Sequence, residues 1–309
     1  MNYPFEHFTK SILSSSAQIM LQASSVTGLL FLIGIGINSA TMLLGCLLAI
    51  LSSLATTKLF HYDSVYVNKG LYGFNAALVG IAVFYFIPLS VSALFLVVIG
   101  AALSTLLMHL MITKMPSIPA LTTPFILSTW TIILIIDYSG LVIASQANQE
   151  SIVAAITLSS IEPWTLIELL HSVLRGVGQV MLQDSWLTGA VFCVALLFGS
   201  YKAAVWAVLA ALIGLLVAIS LGLTQEKAVM GLYGFNGCLV AIAFIDRYPN
   251  KYCLTLFAIL LSVLLTRAFE MITVPALTAP FVISTWFVIG LIKVKSIFDK
   301  ERKTCQNLL

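Results

Sequence analysis

The chain has 309 residues, 60% of them apolar and only 9% charged, and its mean hydropathy is +1.07. Soluble domains carry about 25% charged residues, so this composition points to a polytopic α-helical membrane protein with no room for a sizeable soluble domain. The formal charge of +3 is too small to imply a nucleic-acid partner, and continuous apolar runs without alternation exclude an outer-membrane barrel.

The first ten residues, MNYPFEHFTK, lack a basic start, an apolar stretch and a small-residue cleavage site. No signal peptide is expected, and the first apolar stretches serve as the insertion signal. Apolar segments then run over 10–25, 26–37, 40–57, 71–87, 90–113 and 119–144. After a gap they resume over 163–184, 187–200, 203–223, 232–246, 252–272 and 277–295. A helix needs about 20 residues to cross a hydrocarbon core, and 26–37 and 187–200 fall short. Five full spans and one re-entrant half-helix per half are therefore expected, with the segments opening on GLYGFN as the alternative half-helices. The expected divisions are a first transmembrane repeat over 1–144, an external linker over 145–162, a second repeat over 163–295 and a cytoplasmic tail over 296–309.

The halves are matched residue by residue. Gly70–Val83 reads GLYGFNAALVGIAV and Gly231–Phe244 reads GLYGFNGCLVAIAF, ten of fourteen positions identical at an offset of 161. AQIMLQASSVTG from Ala17 aligns with GQVMLQDSWLTG from Gly178 at the same offset, and PALTTPFILSTW from Pro119 with PALTAPFVISTW from Pro275. Two homologous halves in an apolar chain are the signature of a channel or transporter whose pathway lies at the repeat interface.

Five spans per half make the second repeat enter the bilayer from the opposite side, an inverted topology. Lys and Arg positions test this. With the N-terminus cytoplasmic, Lys10, Lys58, Lys69, Lys114, Arg175, Lys202, Arg247, Lys251, Lys293, Lys295, Lys300, Arg302 and Lys303 fall inside, against Lys227 and Arg267 outside. The linker carries Glu150 and Glu162 without a cation, as an external loop should. Both termini are expected on the cytoplasmic side of an inner or plasma membrane.

Five cysteines (Cys46, Cys193, Cys238, Cys253 and Cys305) show no CxxC or Cys/His spacing, so no metal or disulfide is expected, and no cofactor. Chemistry must come from the duplicated motifs. Glycine in GLYGFN either packs helices closely or breaks one so that carbonyls face a cavity. Duplication sets Phe74 and Phe235 across a pseudo-two-fold axis, where two aromatic faces form a slot for a flat molecule. In PALTxPF, Thr122 and Thr278 lie between prolines inside apolar segments. Those prolines either free carbonyls to line a pathway or start a kinked helix. Gln18 and Gln179 are matched amides that either bond a neighbouring helix or stand at the mouths of a pore. The ionisable residues inside apolar segments are His109, Glu168, His171, Arg175, Asp184, Arg267 and Glu270, and none has a charged counterpart in the other half. Arg267 and Glu270, three apart, should neutralise each other. No proton relay or ion site is evident near the midplane, which argues for passive permeation.

With GLYGFN and PALTxPF both duplicated, the chain resembles the urea transporter family in its bacterial form, over about residues 10–295. The resemblance implies a homotrimer in the lipid bilayer, each protomer with its own pore between two inverted repeats. It implies a filter of stacking side chains and a ladder of oxygens, with urea at two mouths and a middle. Residue by residue, Gln18 and Gln179 match the mouth amides, Phe74 and Phe235 the slot walls, Leu78 and Leu239 the middle constriction, and Thr122 and Thr278 the central threonines. Three residues beyond each glutamine the family can place an aromatic, and here Leu21 and Leu182 stand instead, giving each slot one aromatic and one aliphatic wall. The implied activity is facilitated diffusion of urea, with close small amide analogues as further candidates. An ion- or proton-coupled carrier on the same plan would need an intramembrane acid or base with a substrate-linked role. A membrane-embedded enzyme would need converging catalytic groups, and none stands out.

Overall fold

The computed structural model describes residues 3–139, 164–272 and 274–306, whose regular structure is helical, with no strand among them. The expected linker over 145–162 lies outside the described residues. The first repeat comprises α1 (Tyr3–Gln18), α2 (Ser25–Asn38), α3 (Ala40–Leu59), α4 (Ser64–Asn68), α5 (Gly73–Phe86), α6 (Val91–Lys114) and α7 (Thr123–Ser139). The second comprises α8 (Leu166–Gly178, extended by a 3₁₀ turn over Gln179–Met181), α9 (Trp186–Gly199), α10 (Tyr201–Ser220), α11 (Gln225–Val229), α12 (Phe235–Arg247), α13 (Tyr252–Met271) and α14 (Ala279–Gln306). The same seven elements recur in the same order.

Serines set many of the starts. Ser24, Ser39, Ser90, Ser185 and Ser200 each cap the helix that follows by accepting a backbone N–H in its first turn. Such a cap satisfies one of the amides that every helix start leaves without an internal partner. α8 carries a full capping box, with Thr165 and Glu168 satisfying each other's backbone.

Two helices in each repeat are long and apolar enough to cross a membrane: α3 and α6, and α10 and α13. α8 and α9 together make a fifth apolar stretch, bent by 74° at its break. Helices α2, α5, α7 and α12 are apolar but shorter. The sequence expectation of five full spans per half therefore meets a more broken chain. The cause at α5 and α12 is local. Gly70 and Gly231 take φ of +74° and +77°, turning the chain just before each helix begins. A Cβ there would lie 2.4 Å from the Ser14 carbonyl carbon and 2.3 Å from the Gly176 nitrogen, so only glycine fits. Of the two readings open for the prolines, the helix-start one matches their placement: Pro119 and Pro275 precede α7 and α14, and Pro124 and Pro280 occupy their first turns. A helix start tolerates proline because its missing N–H would have had no partner there.

α5 is buried from Gly73 to Phe84, as a helix apolar all round should be. The two repeats meet directly through α2 and α9. Phe31 packs edge-on against Phe192 at 5.1 Å between ring centres. Thr27 Oγ1 donates to the Ala195 carbonyl at 2.9 Å, and Thr188 Oγ1 to the Gly34 carbonyl at 3.2 Å. These contacts are reciprocal, since Thr27 and Thr188 are equivalent positions, as are Gly34 and Ala195. Outward-facing residues such as Phe95, Ile99, Leu134, Leu197 and Phe198 are exposed and apolar, as a lipid-facing surface requires.

α3 crosses α5 at backbone contact, where a Cβ on Gly80 would lie 2.1 Å from the Gly45 carbonyl oxygen. Gly80→Ala should therefore destabilise the protein by about 1–3 kcal/mol through overpacking. Gly290→Ala, with nothing within 4 Å of the added carbon, should be neutral. Thermal unfolding of both variants in one detergent checks the difference.

Candidate functional site

Four leucines occupy left-handed backbone conformations that leucine rarely adopts: Leu21 (φ +57°), Leu121 (+49°), Leu182 (+57°) and Leu277 (+46°). Each costs about 1–3 kcal/mol, and such residues persist only where their surroundings over-determine them. They form two equivalent pairs. Leu21 and Leu182 break the chain between α1 and α2 and between α8 and α9, while Leu121 and Leu277 immediately precede the PALT threonines.

At the first pair, the side-chain amides of Gln22 and Gln183 reach back to the carbonyls of Met20 at 2.9 Å and Met181 at 2.6 Å. Both glutamines are buried, and Asn38 Nδ2 donates across the repeats to Gln183 Oε1 at 3.0 Å. Sequence reasoning singled out Gln18 and Gln179 and missed these two. The doubled MLQ carried the signal, because both copies keep a second glutamine four residues on.

At the second pair, the asparagines of GLYGFN hold the turn. Asn75 Nδ2 donates to the Leu121 carbonyl at 3.1 Å while its Oδ1 accepts from Phe125 N at 3.2 Å. Asn236 repeats this with the Leu277 carbonyl at 3.4 Å and Phe281 N at 3.2 Å. Each asparagine thus satisfies both a strained turn and an orphan amide at a helix start. Between the two turns, Thr278 Oγ1 lies 2.7 Å from Thr122 Oγ1, the shortest distance joining the two repeats' motifs. Trp130 Nε1 donates to the Pro275 carbonyl and Trp286 Nε1 to the Pro119 carbonyl, both at 2.9 Å. α7 and α14 therefore begin side by side, locked together by three bonds.

Of the other candidates, Phe74, Leu78, Phe235 and Leu239 are buried in one shared apolar cluster, against which Leu21 and Leu182 pack half-buried. Gln18 is half-buried and Gln179 is buried. Phe74 and Phe235 make no ring–ring contact with each other among the described residues. Seven residues beyond the central threonines, Thr129 and Thr285 carry buried hydroxyls without a hydrogen-bond partner among the described residues.

The ionisable residues are largely occupied elsewhere. Glu168 closes the α8 capping box, His171 stacks on Trp186 at 4.6 Å, and Arg175 Nη1 donates to the Val229 carbonyl at 3.2 Å. Arg267 pairs with Glu270 at 2.6 Å, as its spacing predicts, and Lys227 joins the same carboxylate. Tyr233 donates to Glu270 at 3.1 Å. At the equivalent positions of the first repeat, Tyr72 meets His109 Nδ1 at 3.1 Å, and Tyr62 stacks on that imidazole at 3.8 Å. No group of three or more metal-ligating side chains occurs among the described residues.

Broken apolar helices, matched turns and lipid-facing flanks define a polytopic α-helical membrane protein built from two corresponding halves. The profile of the urea transporter family matches residues 9–293, and the chain belongs to that family. It is 31% identical over 249 residues to Urea transporter 1 of Mus musculus and likewise to that of Rattus norvegicus, covering 76% of this chain and 62% of each relative. To Urea transporter 1 of Ovis aries it is 26% identical over 301 residues, covering 90% of this chain and 75% of that protein. The chain thus spans less than two thirds of the mouse and rat proteins.

Replacing Asn75 by Leu strands the Phe125 amide and the Leu121 carbonyl in an apolar interior. The expected loss is about 1–3 kcal/mol for each stranded group. Asn236→Leu should cost a similar amount, and unfolding in detergent measures both.

Proposed function

We propose that this protein lets urea cross the membrane down its concentration gradient, through a pathway where the two repeats meet. The single observation that carries the reading is the Thr122–Thr278 hydroxyl pair, set between two helix starts. One threonine proton is spent in the mutual bond, which leaves a second proton and several lone pairs for a polar solute. Urea is small, planar and neutral, with four N–H donors and one carbonyl. Stripping water from such a group without replacement costs roughly 2–7 kcal/mol, so a pathway must supply oxygens in exchange. Helix starts carry positive partial charge, and two of them converging on one point disfavour a cation while leaving a neutral solute unaffected.

In this reading Gln18 and Gln179 stand at the mouths with Leu21 and Leu182, Phe74 and Phe235 supply flat walls, and Leu78 and Leu239 narrow the middle. Burial follows this order at one mouth and in the middle, with Gln18, Leu21 and Leu182 half-buried and Phe74, Leu78, Thr122, Phe235, Leu239 and Thr278 buried, whereas Gln179 is itself buried. Passive transport, rather than coupled transport or catalysis, fits ionisable side chains already engaged in caps, stacks and ion pairs. The repeats divide as 1–144 and 163–295 about an external linker, with inverted topology, cytoplasmic termini and a homotrimeric assembly.

Thr122→Val and Thr278→Val nearly preserve shape while removing one hydroxyl each. Each should slow urea flux by about five- to a hundredfold, the rate equivalent of roughly 1–3 kcal/mol, without abolishing folding. Stopped-flow efflux from proteoliposomes with proton and sodium gradients collapsed is the test. Wild-type flux in both variants, or urea accumulation against its gradient, would remove this reading.

Orientation has its own test. Leu59 and Ser220 are equivalent exposed positions at the ends of α3 and α10. In a cysteine-free background, Leu59→Cys should react with an impermeant maleimide only from the cytoplasmic side, and Ser220→Cys only from outside. Labelling of both from one side would exclude the inverted arrangement.

A further inference from the structure

A groove of about 740 Å³ opens between the α12–α13 turn and the outer face of α14. Asn250, Lys251, Tyr252, Leu254, Leu291 and Lys295 line it, and no candidate pathway residue does. Two cations and an apolar wall share this surface: Tyr252 is 49% and Leu291 44% exposed, and both lysines are exposed. Among the described residues neither lysine has an ion pair, because the ion pairs there all converge on Glu270. Lys251 Nζ rests 5.7 Å from the centre of the Tyr248 ring, which holds its charge beside the groove. The nearby Lys293 is used differently, donating to the Ser117 carbonyl at 2.9 Å.

The other repeat shows that these lysines are not part of the shared architecture. Lys251 stands where the first repeat has Ser90, whose hydroxyl caps α6 by accepting from Ala93 N. Lys251 gives α13 no side-chain cap. Lys295 stands where the first repeat has Ser139. A neutral cap has thus been exchanged for positive charge at one end of the molecule only, beside an apolar flank. Basic pockets between transmembrane helices recognise anionic lipid headgroups on the cytoplasmic side, where the Lys and Arg distribution of this chain places the loop.

We propose that this groove binds an anionic phospholipid, its phosphate held between Lys251 and Lys295 and its acyl chains lying along Leu254 and Leu291. The apolar wall selects a lipid over a soluble anion, which would leave Leu291 and Tyr252 uncovered. Native mass spectrometry of the purified full chain in detergent tests this, with dioleoyl phosphatidylglycerol, dioleoyl phosphatidylcholine and inorganic phosphate as probes. Wild-type protein should retain phosphatidylglycerol over phosphatidylcholine. Lys251→Ser, which installs the cap residue of the first repeat, and Lys295→Gln should each weaken that retention about fivefold, the equivalent of about 1 kcal/mol per lysine. Lys58→Gln, on α3 of the other repeat and outside the groove lining, should retain the wild-type preference, and melting temperatures confirm that every variant is folded. Equal retention of the two lipids, or unchanged retention in both groove variants, would overturn the proposal. Lysine-dependent stabilisation by inorganic phosphate alone would overturn the lipid and leave a soluble anion as the ligand.

Discussion

A backbone amide or carbonyl left without a partner in hydrocarbon costs several kcal/mol, and that constraint governs this fold. An unbroken helix meets it automatically. This chain breaks its helices repeatedly, and side chains restore most of what the breaks expose. Gln22 and Gln183 serve the turns after α1 and α8, Asn75 and Asn236 the turns before α7 and α14, and serines cap the following helices. The strained leucines sit inside this scaffolding rather than beside it. Remove the amides and the turns lose the bonds that hold leucine in a conformation it otherwise avoids.

The repeats share this scaffolding but not its periphery. Tyr72 and Tyr233 each send a hydroxyl to the same position on the long helix that follows, and that position holds histidine in one half and glutamate in the other. Around His109 the neighbours are aromatic, with Tyr62 stacked on the ring; around Glu270 they are cationic, with Lys227 and Arg267. One geometric demand, a partner for a tyrosine at the foot of a short helix, is thus met by an aromatic stack in one place and an ion network in the other. The core near the threonines shows no comparable divergence.

Much of this was legible in the chain. The repeats, the class, and the starts of α3, α6, α10 and α13 follow from apolar length and recurring motifs. The Arg267–Glu270 pair follows from helical spacing alone. The broken character of α5 and α12 was only half legible: GLYGFN announces an unusual start, but a positive φ at the first glycine is a tertiary fact, forced by its approach to Ser14 or Gly176. The prolines left two readings open, because an apolar run does not show where its helix begins. Contacts joining the halves were hidden for another reason. α6 has 24 residues and α13 has 20, and the stretch before Pro275 is one residue shorter than that before Pro119, so the register between the repeats shifts from 161 to 156 beyond them. The shift conceals nothing chemical, but it separates Thr122 and Thr278 from the alignment that pairs the phenylalanines. The match of His109 with Glu270 was missed because the two residues differ, although their register is the same.

The reciprocal bonds of Trp130 with Pro275 and Trp286 with Pro119 have an evolutionary side. A contact from one position to a second, answered by the same contact in reverse, is the geometry of an isologous dimer interface. Two separate copies of an ancestral half could have closed around each other with the bonds seen here inside one chain. In such a dimer every substitution lands on both sides at once, so a histidine facing a tyrosine in one half must face it in the other. A single chain carries no such restriction. His109 and Glu270, or Ser90 and Lys251, are differences that two identical copies cannot hold, and they let each half meet its surroundings on its own terms.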